Sequence, residues 1–166
     1  MNISFIDKLL LLNLVSEGRS SARQRSTYNL HKSYEDKAQR LLKGIGVDSY
    51  IRPHRHLLDP KNECLFAVLG LFALVIFDDA GNVSKISKFG TEKYLDTLEA
   101  GVGIEIAPHI WRTVIALTPG AILFEAKEGP FYPDLAKEYP AWAPAEGGAE
   151  AGAYFRYLRG MRSLIN

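Results

Sequence analysis

The chain has 166 residues, 47% of them hydrophobic, with 20 basic and 19 acidic side chains and a formal net charge of +1. That length suits a single domain over residues 1–166 with a sizeable core, and the balanced charge gives no reason to expect binding to nucleic acid or membrane. The single cysteine, Cys64, excludes a disulfide within the chain, as is typical of a cytoplasmic protein.

Two apolar runs could be mistaken for export or membrane signals. The first, near the N-terminus, directly follows Asp7 and Lys8 and is not followed by a small-residue cleavage site. The second, residues 64–77, falls short of the ~18 residues that a membrane span needs. We therefore expect a soluble, cytoplasmic protein.

Residues 1–45 are predicted to form an N-terminal helical extension. One candidate helix covers residues 5–15. A second is predicted over 33–44, because Ser33 and Asp36 have a spacing that resembles a capping box. The polar stretch between them, residues 18–31, shows no clear period and predicts an irregular segment.

Residues 46–127 predict a β-barrel. Short β-branched and aromatic runs alternate there with turn signals, and such spacing is typical of a sandwich or barrel. The predicted strands are 48–55, 64–69, 71–77, 82–89, 102–106, 111–117 and 122–126. The last zone, 128–166, predicts proline-rich loops followed by a short helix over about 149–163.

Two histidines lie two residues apart where the first predicted strand ends, in an extended stretch over residues 50–56. Side chains at i and i+2 point to the same face of a strand, so His54 and His56 can converge on one ion. Glu63 follows a predicted turn and is placed to add a carboxylate from the next strand. Two imidazoles and a carboxylate suit a divalent transition metal.

This spacing, with Gly70 following, resembles the first motif of the cupin superfamily. Over residues 19–146 the chain is also similar to the WbuC-type cupin metalloproteins, encoded near bacterial O-antigen and other polysaccharide synthesis genes. That resemblance is carried by Arg23, Asn29 and His31, by "QRLL" at 39–42, "SYIRPHRH" at 49–56, "FDDAGNV" at 77–83, "EAKEGPFYP" at 125–133 and "AWAPAEG" at 141–147. It implies an all-β cupin double-stranded β-helix, a jelly-roll barrel with N-terminal helices and a short C-terminal helix.

The second cupin motif departs from the pattern of the family that the chain resembles. In that family the motif ends in a histidine that supplies a fourth metal ligand, whereas here Trp111 is followed by Arg112. Arginine has no free lone pair and stays protonated, so it cannot ligate, and its charge repels a cation. The resemblance therefore implies a divalent metal (Fe, Mn, Ni or Zn) that is weakened or absent.

Three arrangements of this site are compatible with the sequence. His54, His56 and Glu63 could remain as a two-histidine, one-carboxylate triad, with Arg112 turned aside or holding an anionic substrate. Arg112 could instead pair with Glu63 in a metal-free site. His109 could replace the missing ligand if the strand bulges just before it.

The resemblance implies a small-molecule, sugar-like ligand, and five residues are candidates for binding it: Tyr50, Arg52, Arg112, Lys127 and Tyr132. The expected function is to bind or convert a sugar or sugar-nucleotide in surface polysaccharide synthesis, as a metal-dependent isomerase or epimerase or as a non-haem iron oxygenase. The alternative is a non-catalytic cupin, a sugar-binding or structural partner whose metal site is degraded by Arg112. Cupin resemblance also makes a homodimer the expected assembly.

Overall fold

The computed structural model describes residues 3–97 and 100–161, and β-strands dominate this part of the chain. A short 3-10 helix over Glu92–Thr97 follows the fifth strand. The helices and strands, in chain order, are α1 (Lys8–Ser20), β1 (Arg25–Asn29), β2 (Ala38–Ile45), β3 (Glu63–Leu69), β4 (Leu71–Phe77), β5 (Val83–Gly90), β6 (Ala100–Gly101), β7 (Gly103–Ile106), β8 (Trp111–Ala116), β9 (Ala121–Glu128) and α2 (Ala151–Met161).

The strands form two sheets whose inner faces share one core. The larger sheet has the order β1-β2-β9-β3-β7, and the smaller sheet has the order β6-β5-β4-β8. Neighbouring strands are antiparallel except β5 and β6, which are parallel. The arrangement is a jelly-roll barrel, so the predicted all-β fold class is confirmed.

The apolar part of the barrel interior is built from alternate residues of both sheets. Phe72 on β4 and Phe89 on β5 stack there with ring centroids 5.2 Å apart, and both are fully buried. The other buried members of this cluster are Ile45, Leu65, Leu74, Ile106, Val114, Ala116, Ala121 and Leu123. Because successive strand residues face opposite ways, the neighbours of these residues point outward, toward the helices or solvent.

Each helix covers the outside of one sheet. Leu14 of α1 packs against Leu42 and Ile122 of the larger sheet, while Phe155 and Leu158 of α2 pack against the outer face of the smaller sheet. Among the described residues, no helix has the length and apolar character that a membrane crossing requires.

The predicted second helix over 33–44 is wrong, because most of this segment is strand β2. This strand lies between β1 and β9 and pairs with both of them, so its backbone groups are satisfied by sheet hydrogen bonds. Ser33 and Asp36 do interact, with Ser33 Oγ donating to Asp36 Oδ1 at 3.2 Å, but they close a turn before the strand. The N-terminal zone therefore contributes one helix and two strands to the barrel.

The strands predicted from residue 64 onward agree with β3, β4, β5, β7, β8 and β9. The predicted strand over 48–55 does not form a regular strand, since it contributes only isolated bridges at His54 and Arg55. Gly70 joins β3 to β4 with φ of +83°, where a Cβ would lie 2.4 Å from Thr118 Oγ1. The predicted C-terminal helix is α2, and the part of that prediction beyond residue 161 lies outside the described residues.

We expect the Phe72→Ala variant to lose about 3–5 kcal/mol of unfolding free energy, because it leaves a cavity in the apolar cluster. The matched control is Phe66→Ala on β3, whose side chain is 44% exposed, and it should cost about 1 kcal/mol or less. Urea denaturation followed by tryptophan fluorescence measures both values. Equal losses for the two variants would contradict this assignment of the core.

Candidate functional site

A polar cavity of about 300 Å³ lies between the two sheets and adjoins the apolar cluster. Strands β1, β2, β3, β8 and β9 contribute to its wall, together with the loop residues 23, 51, 54 and 137. Its charged lining comprises five basic side chains and two carboxylates, namely Arg23, Arg25, Lys43, Arg112, Lys137, Glu63 and Glu125. Such a concentration of charge inside a barrel marks the candidate functional site.

Arg112 is the central side chain of this cavity. On β8 it shares the inward phase with Val114, and it is 1% exposed. Its Nη2 donates to Glu63 Oε2 at 2.9 Å and to His56 Nδ1 at 2.9 Å, while Nη1 donates to the Ile110 carbonyl at 3.3 Å. One guanidinium nitrogen thus lies between two of the residues predicted to ligate a metal.

The contact with Arg112 defines the state of the His56 ring. A guanidinium can only donate, so Nδ1 of His56 must accept and its hydrogen must lie on Nε2. That Nε2 is buried and has no hydrogen-bond partner among the described residues. Burial, reinforced by the positive charge of Arg112 and opposed by Glu63, lowers the pKa of His56 to about 4, so the ring is neutral near pH 7.

His54 is tied to β8 by its backbone and faces the cavity. Its N–H donates to the Arg112 carbonyl at 3.1 Å, and the Arg112 N–H donates back at 3.0 Å. Its ring Nδ1 donates to the Arg52 carbonyl at 2.9 Å, which leaves the lone pair of the neutral ring on Nε2. Burial first, then the charges of Lys137 and Arg112, hold the pKa of His54 well below its usual value.

Both carboxylates of the cavity are ionised, and each has a basic partner. Burial alone would raise the pKa of Glu63, but the neighbouring positive charges, chiefly Arg112, outweigh it and hold the pKa far below its usual range. Glu125 accepts hydrogen bonds from Lys43 and, at 3.0 Å, from Lys127. Burial alone would also raise the pKa of Glu125, but the nearby positive charges, mainly that of Lys43, outweigh this effect and lower the pKa.

The site in this arrangement does not fit a metal ion. His56 in its neutral form has one lone pair, at Nδ1, and Arg112 uses it; the same guanidinium nitrogen binds Glu63 Oε2. Across the described residues, no group of three or more His, Cys, Asp and Glu side chains could hold an ion. The side chain of His109 is exposed and does not line the cavity. The geometry matches the second of the three arrangements, in which Arg112 pairs with Glu63.

Tyr50 and Arg52, predicted to bind ligand, lie outside the cavity wall. The Tyr50 hydroxyl donates to the Pro144 carbonyl at 2.9 Å, in the layer under α2. The Arg52 guanidinium donates to the Ala143 and Pro140 carbonyls at 3.0 and 3.1 Å. Both side chains therefore anchor the loop that follows β9, which differs from the ligand contact expected of them.

The other two predicted binders lie at different distances from the cavity. The Lys127 ammonium forms an ion pair with the lining residue Glu125, but Lys127 itself does not line the cavity. Tyr132 is 47% exposed, with the Lys61 ammonium 5.4 Å from its ring centroid, and it also lies outside the lining. Arg112 is the one predicted ligand-binding residue that lines the cavity.

Sequence reasoning missed Lys43, Glu125 and Lys137. The inward direction of Lys43 was not predicted, because β2 was predicted as a helix. As a strand residue, Lys43 faces the same side of the sheet as Ile45, two residues later. Glu125 lies in a predicted strand, two residues after the core residue Leu123. Side chains two residues apart in a strand face the same side, so this spacing could have identified Glu125 as an inward-facing residue. Lys137 lies in an irregular loop, where no periodicity indicates the direction of a side chain.

Comparison with solved structures is consistent with this fold. The chain is similar to protein SO0799 from Shewanella oneidensis, with 10% identity, a TM-score of 0.54 and coverage of 68% of this chain and 72% of that one. The chain is also similar to KdgF from a Halomonas species, with 12% identity, a TM-score of 0.48 and coverage of 69% of this chain and 87% of that one. It is similar to recombinant oxalate oxidase as well, with 9% identity, a TM-score of 0.49 and coverage of 72% of this chain and 57% of that one. The barrel and its likeness to SO0799 define a cupin-fold protein.

The sequence itself matches one described family. The chain belongs to the family described as a domain of unknown function (DUF6016), whose family model matches residues 6–89. This match gives no support to the resemblance to WbuC-type proteins. No curated protein matches the sequence. The class of the fold is thus known.

We expect stability to fall as the pH drops from 7.5 to 5.0. The folded-state pKa values of His54 and His56 lie below the unfolded value of about 6.5, so the unfolded chain takes up protons that the folded protein does not. His56 alone should cost about 2 kcal/mol over this range.

Urea denaturation at the two pH values measures the effect. The His56→Gln variant should show a smaller decrease than the unmodified protein, because glutamine does not titrate. His109→Gln is the control, since His109 is exposed and outside the cavity, and it should keep the full decrease. Identical decreases in all three proteins would show that His56 is not responsible.

Proposed function

We propose that this protein binds a small, anionic, sugar-like molecule in its interior cavity without using a metal ion. The observation that carries the proposal is the position of Arg112, whose Nη2 lies 2.9 Å from both Glu63 and His56. A fixed guanidinium thus supplies the positive charge at this point and uses the lone pairs that an ion would need. This corresponds to the sugar-binding part of the alternative, in which Arg112 degrades the metal site.

The charge of the cavity supports an anionic ligand. Glu63 is neutralised by Arg112 and Glu125 by Lys43, while Arg23 and Arg25 both pair with Glu146 at the edge of the cavity. Among the described residues, no acidic group forms an ion pair with the remaining lining cation, Lys137. A negatively charged ligand group would complete this charge balance in a setting with little solvent screening. Its binding partners would be Lys137 and the edge arginines.

The size and polarity of the cavity support one sugar unit. A volume of about 300 Å³ lies at the lower end of the roughly 300–1,000 Å³ found for small-molecule pockets, which favours a monosaccharide over a complete sugar-nucleotide. The lone pair on His54 Nε2 can accept a hydrogen bond from a sugar hydroxyl, and the lining residue Thr27 adds a hydroxyl group.

The choice of a sugar, rather than another small anion, rests on the resemblance to WbuC-type proteins. On the same basis we propose a role in bacterial surface polysaccharide synthesis, a cytoplasmic location and a homodimeric assembly. Isothermal titration with defined sugars tests the binding part directly.

We expect glucuronate to bind at least tenfold more tightly than glucose, because only the acid carries a charge that complements Lys137. Lys137→Met should weaken glucuronate binding at least tenfold and leave the binding of glucose nearly unchanged. Lys85→Met, on the exposed surface of β5, is the control and should behave like the unmodified protein. Equal affinities for the two sugars, or no binding of either, would contradict the proposal.

We expect Arg112→His to raise the affinity for zinc or iron(II) by at least about tenfold, because this change removes a fixed positive charge and adds a ligand. Arg112→Ala separates the two effects, since it removes the charge without adding a ligand, and its gain should be smaller. Titration of the three proteins with each metal measures this, with circular dichroism as a check on folding. Unmodified protein that binds metal as tightly as Arg112→His would overturn the metal-free site.

A further inference from the structure

We infer that Lys137 is a nucleophilic lysine that condenses with the carbonyl group of an anionic ligand, an aldehyde acid or a 2-oxo acid, to form an imine. The inference rests on the proposed function for the anionic part of the ligand. It adds the chemical class of the reacting group and a covalent step.

The position of Lys137 distinguishes it from the other lysines of the site. It lies in the loop between β9 and α2, is half-buried and lines the cavity. Lys43 and Lys127 both donate to Glu125, whereas in the described part of the chain the Lys137 amine has neither a hydrogen bond nor an ion pair. An amine without a partner in the wall of a cavity is available to a bound molecule.

The surroundings of Lys137 favour its neutral form. Burial is the largest effect, and the positive charges of Lys43 and Lys127 add to it, while Glu63 and Glu125 act in the opposite direction. Together they lower the pKa of Lys137 to about 8. The charged and titratable groups around it are Lys43 on β2, Glu63 on β3, Glu125 and Lys127 on β9, Arg112 on β8, and His54 beside that strand.

This environment changes the amount of reactive amine by a large factor. With a pKa of about 8, about a tenth of Lys137 is neutral at pH 7, compared with less than about a thousandth for an ordinary lysine. Lys43, in the same cavity, behaves in the opposite way. Burial alone would lower its pKa, but the negative charges of Glu125 and Glu63 outweigh this effect, raise the pKa and keep Lys43 protonated. A lysine that is desolvated among other cations is a known way to obtain a nucleophile near neutral pH.

The proposed step is balanced without an oxidant or reductant. The neutral Nζ attacks the carbonyl carbon and forms a carbon–nitrogen bond. The carbonyl oxygen leaves as water, taking the two hydrogens that the amine loses, and a carbon–nitrogen double bond remains. The imine, once protonated, withdraws electrons from the adjacent carbon, which makes a proton on that carbon easier to remove.

Reductive trapping of the full chain tests this inference. The protein is incubated at pH 7 with glyoxylate or pyruvate and sodium cyanoborohydride, which reduces an imine to a stable amine, and labelling is followed by intact mass and peptide mapping. We expect Lys137 to be labelled at least tenfold faster than Lys85, with a rate that rises with pH to a midpoint near 8. Gluconate, an anion without a carbonyl group, should slow the labelling by occupying the cavity.

Two variants separate the covalent step from binding. Lys137→Arg keeps the positive charge and removes the nucleophile, so it should abolish the fast labelling and still bind gluconate in a calorimetric titration. Lys85→Arg should change neither result. Labelling of Lys137 no faster than that of Lys85, with gluconate binding intact, would overturn the imine step alone. Absence of gluconate binding in the unmodified protein would overturn the proposed function, and fast labelling that persists in Lys137→Arg would overturn the assignment to this residue.

Discussion

The buried contact of Arg112 with Glu63 and His56 is the interaction on which the rest of the site depends. The guanidinium keeps Glu63 ionised, directs the hydrogen of His56 to Nε2, and bonds both residues through one nitrogen. The backbone of the same residue exchanges two hydrogen bonds with His54, so the irregular histidine segment is held against β8. Removing one partner of such a pair leaves a buried charge, which costs about 3–5 kcal/mol. The pair need not add stability, since well-packed apolar residues in its place are often equally stable.

The strand register distributes that charge through the cavity. Pairing of β3 with β9 places Glu63 opposite Lys127, and pairing of β2 with β9 brings Lys43 within bonding distance of Glu125. Glu63 and Glu125 would each raise the pKa of the other by charge repulsion. The positive charges of Arg112, Lys43 and Lys127 offset this repulsion. The barrel can therefore keep a polar interior beside its apolar cluster, because nearly every buried charge has a partner. Among the charged cavity residues that the structure describes, the exception is Lys137, which comes from a loop outside this register.

The sequence predicts the barrel better than it predicts the site. From residue 64 onward, short β-branched and aromatic runs are separated by turn residues, so the local pattern is sufficient there. It fails at β2, because two adjacent leucines and a cap-like Ser33–Asp36 pair also suit a helix, and the choice is made by pairing with β1 and β9, which are distant in sequence. In the structure Arg112 contacts Glu63 and His56 through its guanidinium, while His54 is joined to it through backbone hydrogen bonds. The hydrogen bonds among these side chains depend on distances that cannot be read from sequence spacing. Lys137 could not be predicted either, because it lies in an irregular loop that shows no periodicity.

A guanidinium and a metal ion can bind the same acceptors, but they make different sites. An ion can exchange ligands and take up a substrate atom in an open position, whereas Arg112 is attached to β8 and already directs its Nη2 to two acceptors. It therefore preorganises Glu63 and His56 in one geometry and occupies Glu63 Oε2 and the lone pair of His56. The groups that the guanidinium does not engage include the Nε2 of His54 and the amine of Lys137, and both residues line the cavity. The reactive group that we infer, Lys137, thus comes from the loop after β9 and not from the histidine segment.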